Sequence, residues 1–126
     1  MSRLARILSV EDEPDLRLII QLALETVGGL EVELCASGAE ALRIARSCRP
    51  DLILLDVMMP GLDGPDTLRA LREDPATRDI PVVFMTAKVQ PGEVEQLMAM
   101  GALGVIAKPF DPMRLAQQLQ EIWERR

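Results

Sequence analysis

Short runs of apolar residues recur along the chain, and each run ends at a polar or turn-forming residue. The clearest is Leu52–Asp56, in which four aliphatic residues with no polar face precede a carboxylate. Such a run suits a strand that helices cover on both faces, as in a parallel sheet. We therefore predict Leu52–Asp56 as the central strand. The other predicted strands are Ile7–Val10, the edge strand Val32–Ala36, Val82–Met85 and Gly104–Ala107.

Between the predicted strands, apolar residues repeat at helical spacing. The first helix is predicted to begin at Pro14 and to stop at Gly28, with one apolar stripe along its length. The second is predicted to run from an N-cap at Ser37 to about Ser47, because Glu40 lies three residues after the cap and completes a capping box. The predicted stripe of the first helix comprises Leu16, Ile19, Ile20, Ala23, Leu24 and Val27.

The second half of the chain continues the same alternation. A third helix turns Leu68 and Leu71 inward, and a fourth begins at Pro91 and closes at Gly101. Pro112 is predicted to start the last helix, whose apolar side comprises Leu115, Leu119, Ile122 and Trp123. Five strand–helix repeats imply right-handed crossovers and a parallel α/β sheet.

Composition narrows the classes of function. At 126 residues the chain is predicted to form one domain, and 48% hydrophobic with 27% charged residues is typical of a globular protein. A net charge of −6 and only three aromatic residues argue against nucleic-acid binding, and no apolar run is long enough to cross a membrane. Cys35 and Cys48 lack metal-ligand spacing and favour a reducing, cytoplasmic setting. The chain has no histidine, which excludes Ser-His catalysis, Cys-His catalysis and His-ligated zinc.

Polar residues follow the central strands where those strands end. In a parallel sheet these carboxyl ends share one edge, so we expect the residues that follow them to converge there. Two carboxylates about 4 Å apart repel by about 4 kcal/mol at an effective dielectric near 20, which favours a cation among them. Oxygen-only ligands select Mg²⁺, with Mn²⁺ as a substitute, and a lysine with a hydroxyl suits a phosphate. The converging residues are Glu11, Asp12, Asp56, Thr86 and Lys108.

Five motifs together resemble the receiver domain of bacterial response regulators, the phosphorylated switches of two-component signalling. They are Glu11-Asp12, Leu52–Asp56, Met59–Gly64, Met85–Ala87 and Lys108–Phe110. The match runs from about Leu4 to Glu124, with the motifs in order. The resemblance implies a flavodoxin-like (βα)5 fold, a three-layer sandwich with strand order 2-1-3-4-5, as in the chemotaxis regulator that exemplifies this order. It further implies that residues 1–126 are a single receiver domain without an output domain.

The resemblance also implies a role for each site residue. Asp56 is expected to be the nucleophile that takes a phosphoryl group from a phosphohistidine. Mg²⁺ is expected to bind Glu11, through water, together with Asp12, Asp56 and the backbone carbonyl of Met58. Lys108, the Thr86 hydroxyl and the Ala87 N–H are expected to bind phosphoryl oxygens. The family further implies a cis peptide bond between Lys108 and Pro109, which only X-Pro bonds tolerate cheaply.

The implied function is a signalling switch, not a conventional enzyme, although it promotes its own phosphorylation and slow dephosphorylation. The phosphodonor is expected to be a sensor histidine kinase or a histidine phosphotransfer protein. Phosphorylation would shift the loop Lys88–Gly92, the fourth helix and the fifth strand, and so change binding to an unknown downstream protein. The face formed by the last two helices and the fifth strand is the expected partner surface, and also the expected surface of a homodimer. Long or apolar residues predicted there are Met100, Leu103 and Met113.

Other interpretations fit the residues less well. A haloacid-dehalogenase-type phosphatase would need a second Asp at Met58, and a P-loop enzyme would need a GxxxxGK[S/T] motif that the chain lacks. A non-phosphorylated scaffold would normally have lost part of the set of acids, Thr86 or Lys108. A stand-alone receiver is favoured over a piece of a hybrid kinase or a phosphorelay intermediate. One departure from the family is Val105, which lies where most receivers carry Tyr or Phe.

Overall fold

The computed structural model describes residues 3–126 and contains one five-stranded parallel sheet of order β2-β1-β3-β4-β5. The order confirms the predicted flavodoxin-like topology. Every predicted strand forms, with boundaries that differ by at most one residue at either end. The strands are β1 Arg6–Val10, β2 Glu31–Cys35, β3 Leu52–Asp56, β4 Val82–Thr86 and β5 Gly104–Ala107.

Helices cover both faces of the sheet and complete three layers. The helical elements are α1 Pro14–Gln21, continued by a π-helical segment Leu22–Val27, then α2 Gly38–Cys48, α3 Gly64–Glu73, α4 Pro91–Ala99 and α5 Leu115–Glu124. One core cluster joins the sheet to α1, the π-helical segment and α5, around residues such as Leu24, Leu54 and Leu119. The other joins it to α2 and α3, around Ala41, Phe84 and Leu71. Among residues 3–126, no helix combines the length and apolarity that a membrane span needs.

β3 is the centre of the sheet, because β1 and β4 pair with it on either side. All five of its residues are buried, as its unbroken apolar run predicts. The register sets Val10 beside Leu55, and Asp56 beside Met85. The carboxyl ends of β1, β3 and β4 therefore meet at one edge of the sheet.

The helices differ from the predictions at two places. The stripe of the first helix does not continue uniformly to Val27, because the segment after Gln21 is π-helical, and Ile19 and Val27 remain 41% and 45% exposed. A π-helix adds a residue to each turn, so the 3.6-residue period no longer predicts which residues face the core. At the C-terminal end, residues 112–114 form a turn before α5, and Leu115 N donates to Asp111 O at 3.0 Å.

Candidate functional site

Three acids from two strand ends form a cluster at the carboxyl edge of the sheet. One carboxylate oxygen from each of Glu11, Asp12 and Asp56 lies within 4.8 Å of the others. Glu11 and Asp56 are only 2% and 4% exposed, whereas Asp12 is more open to solvent. Hard oxygen donors at this spacing, without nitrogen or sulfur, suit Mg²⁺ or Mn²⁺, so the donor set fits the metal that the sequence predicts.

The backbone around Asp56 is tightly defined. Asp56 is the last residue of β3, and the turn after it is closed by a hydrogen bond from Gly64 N to Val57 O of 2.9 Å. A Cβ atom on Gly64 would lie 2.5 Å from Asp56 O and 2.8 Å from Val57 Cα. Only glycine therefore allows α3 to begin this close to the strand end, and the close approach fixes the position of Asp56.

Lys108 links the strand ends. Its Nζ lies 3.0 Å from Glu11 Oε1 and 3.0 Å from Asp56 Oδ1, and its side chain is 21% exposed. The backbone N–H of Lys108 donates to Thr86 O at 2.8 Å, and the bond to Pro109 is cis, as the resemblance to the receiver family implies. The lysine thus partly offsets the charge of the acids that surround it.

The charges of Glu11 and Lys108 depend on each other. Burial raises the pKa of the Glu11 carboxyl above its usual range, and the charge of Asp56 acts in the same direction, against the hydrogen bonds from Lys108 and from Glu13 N. Burial alone would lower the pKa of the Lys108 ammonium, but its bonds to Glu11 and Asp56 outweigh this and raise it. The acids therefore hold Lys108 as a cation.

Thr86 ends β4, the strand that neighbours β3. The Thr86 side chain is buried, and its Oγ1 accepts a hydrogen bond from Lys88 N of 3.0 Å. Ala87, the next residue, is exposed, and residues 87–90 form an exposed loop. The Met58 side chain is 65% exposed, so only the Met58 backbone is suited to the role predicted from the sequence. Of the predicted site residues, Lys108 contacts Glu11 and Asp56, and Asp12 lies in the same acid cluster. Thr86 ends β4, Ala87 follows it, and Met58 follows the end of β3.

Two features of the site are absent from the sequence predictions. Arg17, on the first turns of α1, donates from Nη1 to Glu11 O at 2.9 Å and to Asp12 O at 3.1 Å. Beside Lys108, a mainly apolar cavity of about 410 Å³ opens to the surface. The cavity is lined by Leu16, Ile19, Ala87, Lys108, Pro109, Phe110 and Pro112. In the sequence, the only indication of the role of Arg17 is its position five residues after Asp12. The cavity is indicated by the apolar residue Ile19 and by the prolines that follow Lys108.

Comparisons with known proteins agree with this geometry. The family model of the response regulator receiver domain matches residues 7–120. The response regulator Rre1 of Synechocystis sp. is 37% identical over 119 residues, which cover 94% of this chain and 52% of Rre1. The chain thus spans about half the length of this relative.

Solved structures show the same similarity. Chemotaxis protein CheY4 of Vibrio cholerae superimposes with a TM-score of 0.86 at 34% identity, covering 94% of this chain and 98% of CheY4. The signal receiver domain of a histidine kinase from Syntrophus aciditrophicus gives a TM-score of 0.81 at 35% identity, covering 96% of this chain and 91% of that one.

Proposed function

Because this chain belongs to the response regulator receiver family, we propose that it is a phosphorylation switch whose phosphoryl acceptor is Asp56. The observation that carries the proposal is the position of the Asp56 carboxylate, which is buried at the end of the central strand, 3.0 Å from Lys108 Nζ and beside two further acids. Within that cluster Asp56 is the acid on β3, the strand at the centre of the sheet.

Phosphoryl transfer needs positioning and charge neutralisation more than covalent help from the protein. An Asp56 carboxylate oxygen attacks phosphorus while the P–N bond to the partner's imidazole breaks, and the product is an acyl phosphate on Asp56. Mg²⁺, when bound by Glu11, Asp12, Asp56 and the Met58 carbonyl, supplies neutralisation of the charge on the phosphoryl oxygens. Lys108 transfers its hydrogen bonds from the acids to a phosphoryl oxygen.

Thr86 and Ala87 complete the site on the β4 side. The Thr86 hydroxyl and the Ala87 N–H donate to the remaining phosphoryl oxygens. Because the Thr86 Oγ1 also accepts a hydrogen bond from Lys88 N, a movement of this hydroxyl toward the phosphoryl group moves the loop at residues 87–90 with it. Phosphorylation is thereby coupled to the loop before α4, and the local charge change shifts a population between two packings.

The phosphodonor in this proposal is a sensor histidine kinase or a histidine phosphotransfer protein. A partner whose imidazole reaches Asp56 must cover the surface around it, and the apolar cavity beside Lys108 belongs to that surface. The output is altered binding of a downstream protein to the face of α4, β5 and α5. There Met98 is 42% exposed, and Met113, in the turn before α5, is 70% exposed. Met100 and Leu103, which the sequence also predicts on this face, are half-buried against the core. The same role as phosphoryl acceptor would hold in a hybrid kinase or a phosphorelay.

The proposal is tested by incubating the protein with Mg²⁺ and acetyl phosphate. We expect intact-mass spectrometry to show one added phosphoryl group that hydroxylamine removes. Asp56→Asn should not be labelled. Asp79→Asn is the matched control, because Asp79 is an exposed carboxylate outside the acid cluster, and it should be labelled like the wild type. Equal labelling of the Asp56→Asn variant would exclude Asp56 as the acceptor.

A further inference from the structure

We propose that Arg17 is a positioning residue for the metal site, holding Glu11 and Asp12 in place through their backbone carbonyls. The inference rests on the proposed function, in which these acids bind Mg²⁺. A single guanidinium nitrogen, Nη1, donates to both carbonyls, at 2.9 Å to Glu11 O and 3.1 Å to Asp12 O. Arg17 is half-buried and belongs to α1, whose backbone begins directly after the acidic loop at residues 11–13.

The other hydrogen bonds of the loop that carries the two acids involve Glu11 and Glu13, including those from Lys108 Nζ to Glu11 Oε1 and from Arg17 N to Glu13 O. Glu11 N donates to Cys35 O at 3.1 Å, and Glu13 N donates to Glu11 Oε2 at 3.1 Å. Within residues 3–126, the bond from Arg17 is the one hydrogen bond recorded for Asp12. We therefore infer that the orientation of the Asp12 carboxylate depends on the Asp12 backbone, whose carbonyl accepts the hydrogen bond from Arg17.

The choice of carbonyl acceptors has a consequence for the metal. Lys108 binds carboxylate oxygens of Glu11 and Asp56 directly, so it occupies atoms that a cation would also use. Arg17 instead binds the carbonyls and leaves the carboxylate oxygens available. A guanidinium at this position fixes the metal-binding residues without competing with the ion for their carboxylate oxygens. Groups that hydrogen-bond to metal ligands commonly have this role in metal sites.

The test is an Mg²⁺ titration of the purified full chain followed by backbone amide NMR shifts. Loss of such supporting partners typically weakens metal binding about 10- to 100-fold. We expect Arg17→Met, which keeps the aliphatic stem, to raise the Kd for Mg²⁺ about tenfold. Arg17→Lys, which keeps the charge and a donor, should be intermediate. Arg43→Met, at an exposed arginine of α2, is the control and should bind Mg²⁺ like the wild type.

A second measurement distinguishes positioning of the Mg²⁺ ligands by Arg17 from a general contribution of Arg17 to the stability of the fold. The melting temperature is measured for each variant with and without Mg²⁺, and positioning predicts that the rise caused by Mg²⁺ shrinks in Arg17→Met. Acetyl phosphate labelling of that variant should recover at about tenfold higher Mg²⁺. If Arg17→Met does not fold, the Kd for Mg²⁺ and the rise in melting temperature caused by Mg²⁺ are compared between Arg17→Lys and the wild type instead.

The outcomes distinguish this inference from the function on which it rests. An unchanged Kd, with melting temperatures lowered equally with and without Mg²⁺, would overturn the positioning role alone. A wild-type protein whose amides do not respond to Mg²⁺ would overturn the metal site and the proposed function together.

Discussion

At the scale of single residues, Asp12 is the acid whose removal we expect to abolish Mg²⁺ binding without unfolding the protein. Its side chain is more open than those of Glu11 and Asp56, and its carboxylate lies within a cluster of like charges. We expect Asp12→Ala to leave the metal-free melting temperature unchanged or a few degrees higher, since about 1 kcal/mol corresponds to a shift of about 4 °C. The same substitution should abolish the rise in melting temperature on adding Mg²⁺, and labelling by acetyl phosphate.

Thermal unfolding followed by circular dichroism, with and without MgCl₂, checks this prediction. Asp15→Ala is a suitable control, because Asp15 is an exposed acid on the first turn of α1 and lies outside the cluster. Unfolding of the metal-free Asp12→Ala protein would show instead that the acid is structural.

The buried thiol of Cys35 leads to a prediction about how the free energy of unfolding depends on pH. Burial raises the pKa of the Cys35 thiol from an ordinary value of 9.0 to about 12. Between these values the unfolded chain loses a proton that the folded protein keeps, so the unfolded state binds fewer protons and stability falls as pH rises. The contribution is fully present below about pH 9. Above it, the free energy of unfolding should fall by up to about 1.4 kcal/mol per pH unit from this group.

The comparison uses urea unfolding from pH 8 to pH 11 for the wild type and for Cys35→Ala. The variant is expected to be less stable at pH 8, because it loses a buried side chain, but its stability should fall less steeply above pH 9. Parallel curves for the two proteins would contradict the raised pKa. Cys48, whose thiol pKa is also raised by burial, and Lys108 are present in both proteins, so their contributions cancel in the difference.

The residues of the site were largely predictable from the sequence, because parallel strands bring their carboxyl ends to one edge. That rule applies to Glu11, Asp56, Thr86 and Lys108 without any side-chain coordinates. Arg17 was not predictable in the same way. An arginine on the first turns of a helix is usually a solvated cation, and its bonds to two carbonyls depend on the backbone conformation of the acidic loop.

At the scale of elements, strands were predicted more accurately than helices. The apolar runs of β3 and β5 coincide with the strands, since each run is bounded by residues that cannot continue it. The first helix departs from its predicted stripe after Gln21, because a π-helical turn accommodates one more residue than the 3.6-residue period allows. Ser37 does cap α2, accepting a bond from Glu40 N of 3.1 Å, because an N-cap is a local signal. The Glu40 carboxylate, however, accepts from Ala36 N at 3.4 Å and not from Ser37 N, so the reciprocal bond of the predicted capping box is displaced by one residue.

The exposed side of α1 leads to a prediction about the rate of phosphotransfer from a protein phosphodonor. Ile19 is 41% exposed and lines the apolar cavity beside Lys108, where a protein phosphodonor would have to bind. We expect Ile19→Glu to lower the rate of phosphotransfer from a histidine kinase by tenfold or more, because a carboxylate would be buried against the partner. Labelling by acetyl phosphate, which needs no docking surface, should stay within twofold of the wild type.

Met98→Glu is the matched control, since Met98 on α4 is 42% exposed but lines a different cavity, next to β5 and α5. It should receive phosphoryl groups from the kinase at the wild-type rate. Rates are read from the loss of label on a phosphorylated kinase. Equal rates for Ile19→Glu and the wild type would show that the donor approaches Asp56 from another side.

At the scale of the whole molecule, alternating strands and helices predict a parallel α/β sheet, but periodicity alone does not give the strand order. The order 2-1-3-4-5 followed from the resemblance of five motifs to a known family, and the pairing of β1 with both β2 and β3 agrees with it. The two faces of the sheet have separate core clusters, so a change at the site can reach one face without repacking the other.

This separation affects how phosphorylation would reach the output face, because Val105 lies where the resemblance to the family leads us to expect Tyr or Phe. Val105 is half-buried on β5 and packs, like Leu97 and Met100, against the core cluster that contains Phe84. Its short β-branched side chain cannot reach the space near Thr86. Phe110 cannot substitute for it, since Phe110 packs against the cluster on the opposite face of the sheet. Coupling should therefore run through the loop at residues 87–90 and α4.

α4 is suited to carry that signal. None of its nine residues is fully buried, so few apolar contacts oppose its displacement. We expect the beryllofluoride mimic of phosphorylation to change amide hydrogen exchange in the loop and in α4, while exchange in β5 stays the same.

Val105→Tyr should still be phosphorylated, because Val105 belongs neither to the acid cluster nor to the ion pairs that the acids form with Lys108. The gain in partner affinity on activation should be several-fold larger in the tyrosine variant. A large and equal gain in both proteins would show that an aromatic residue at position 105 does not limit coupling here.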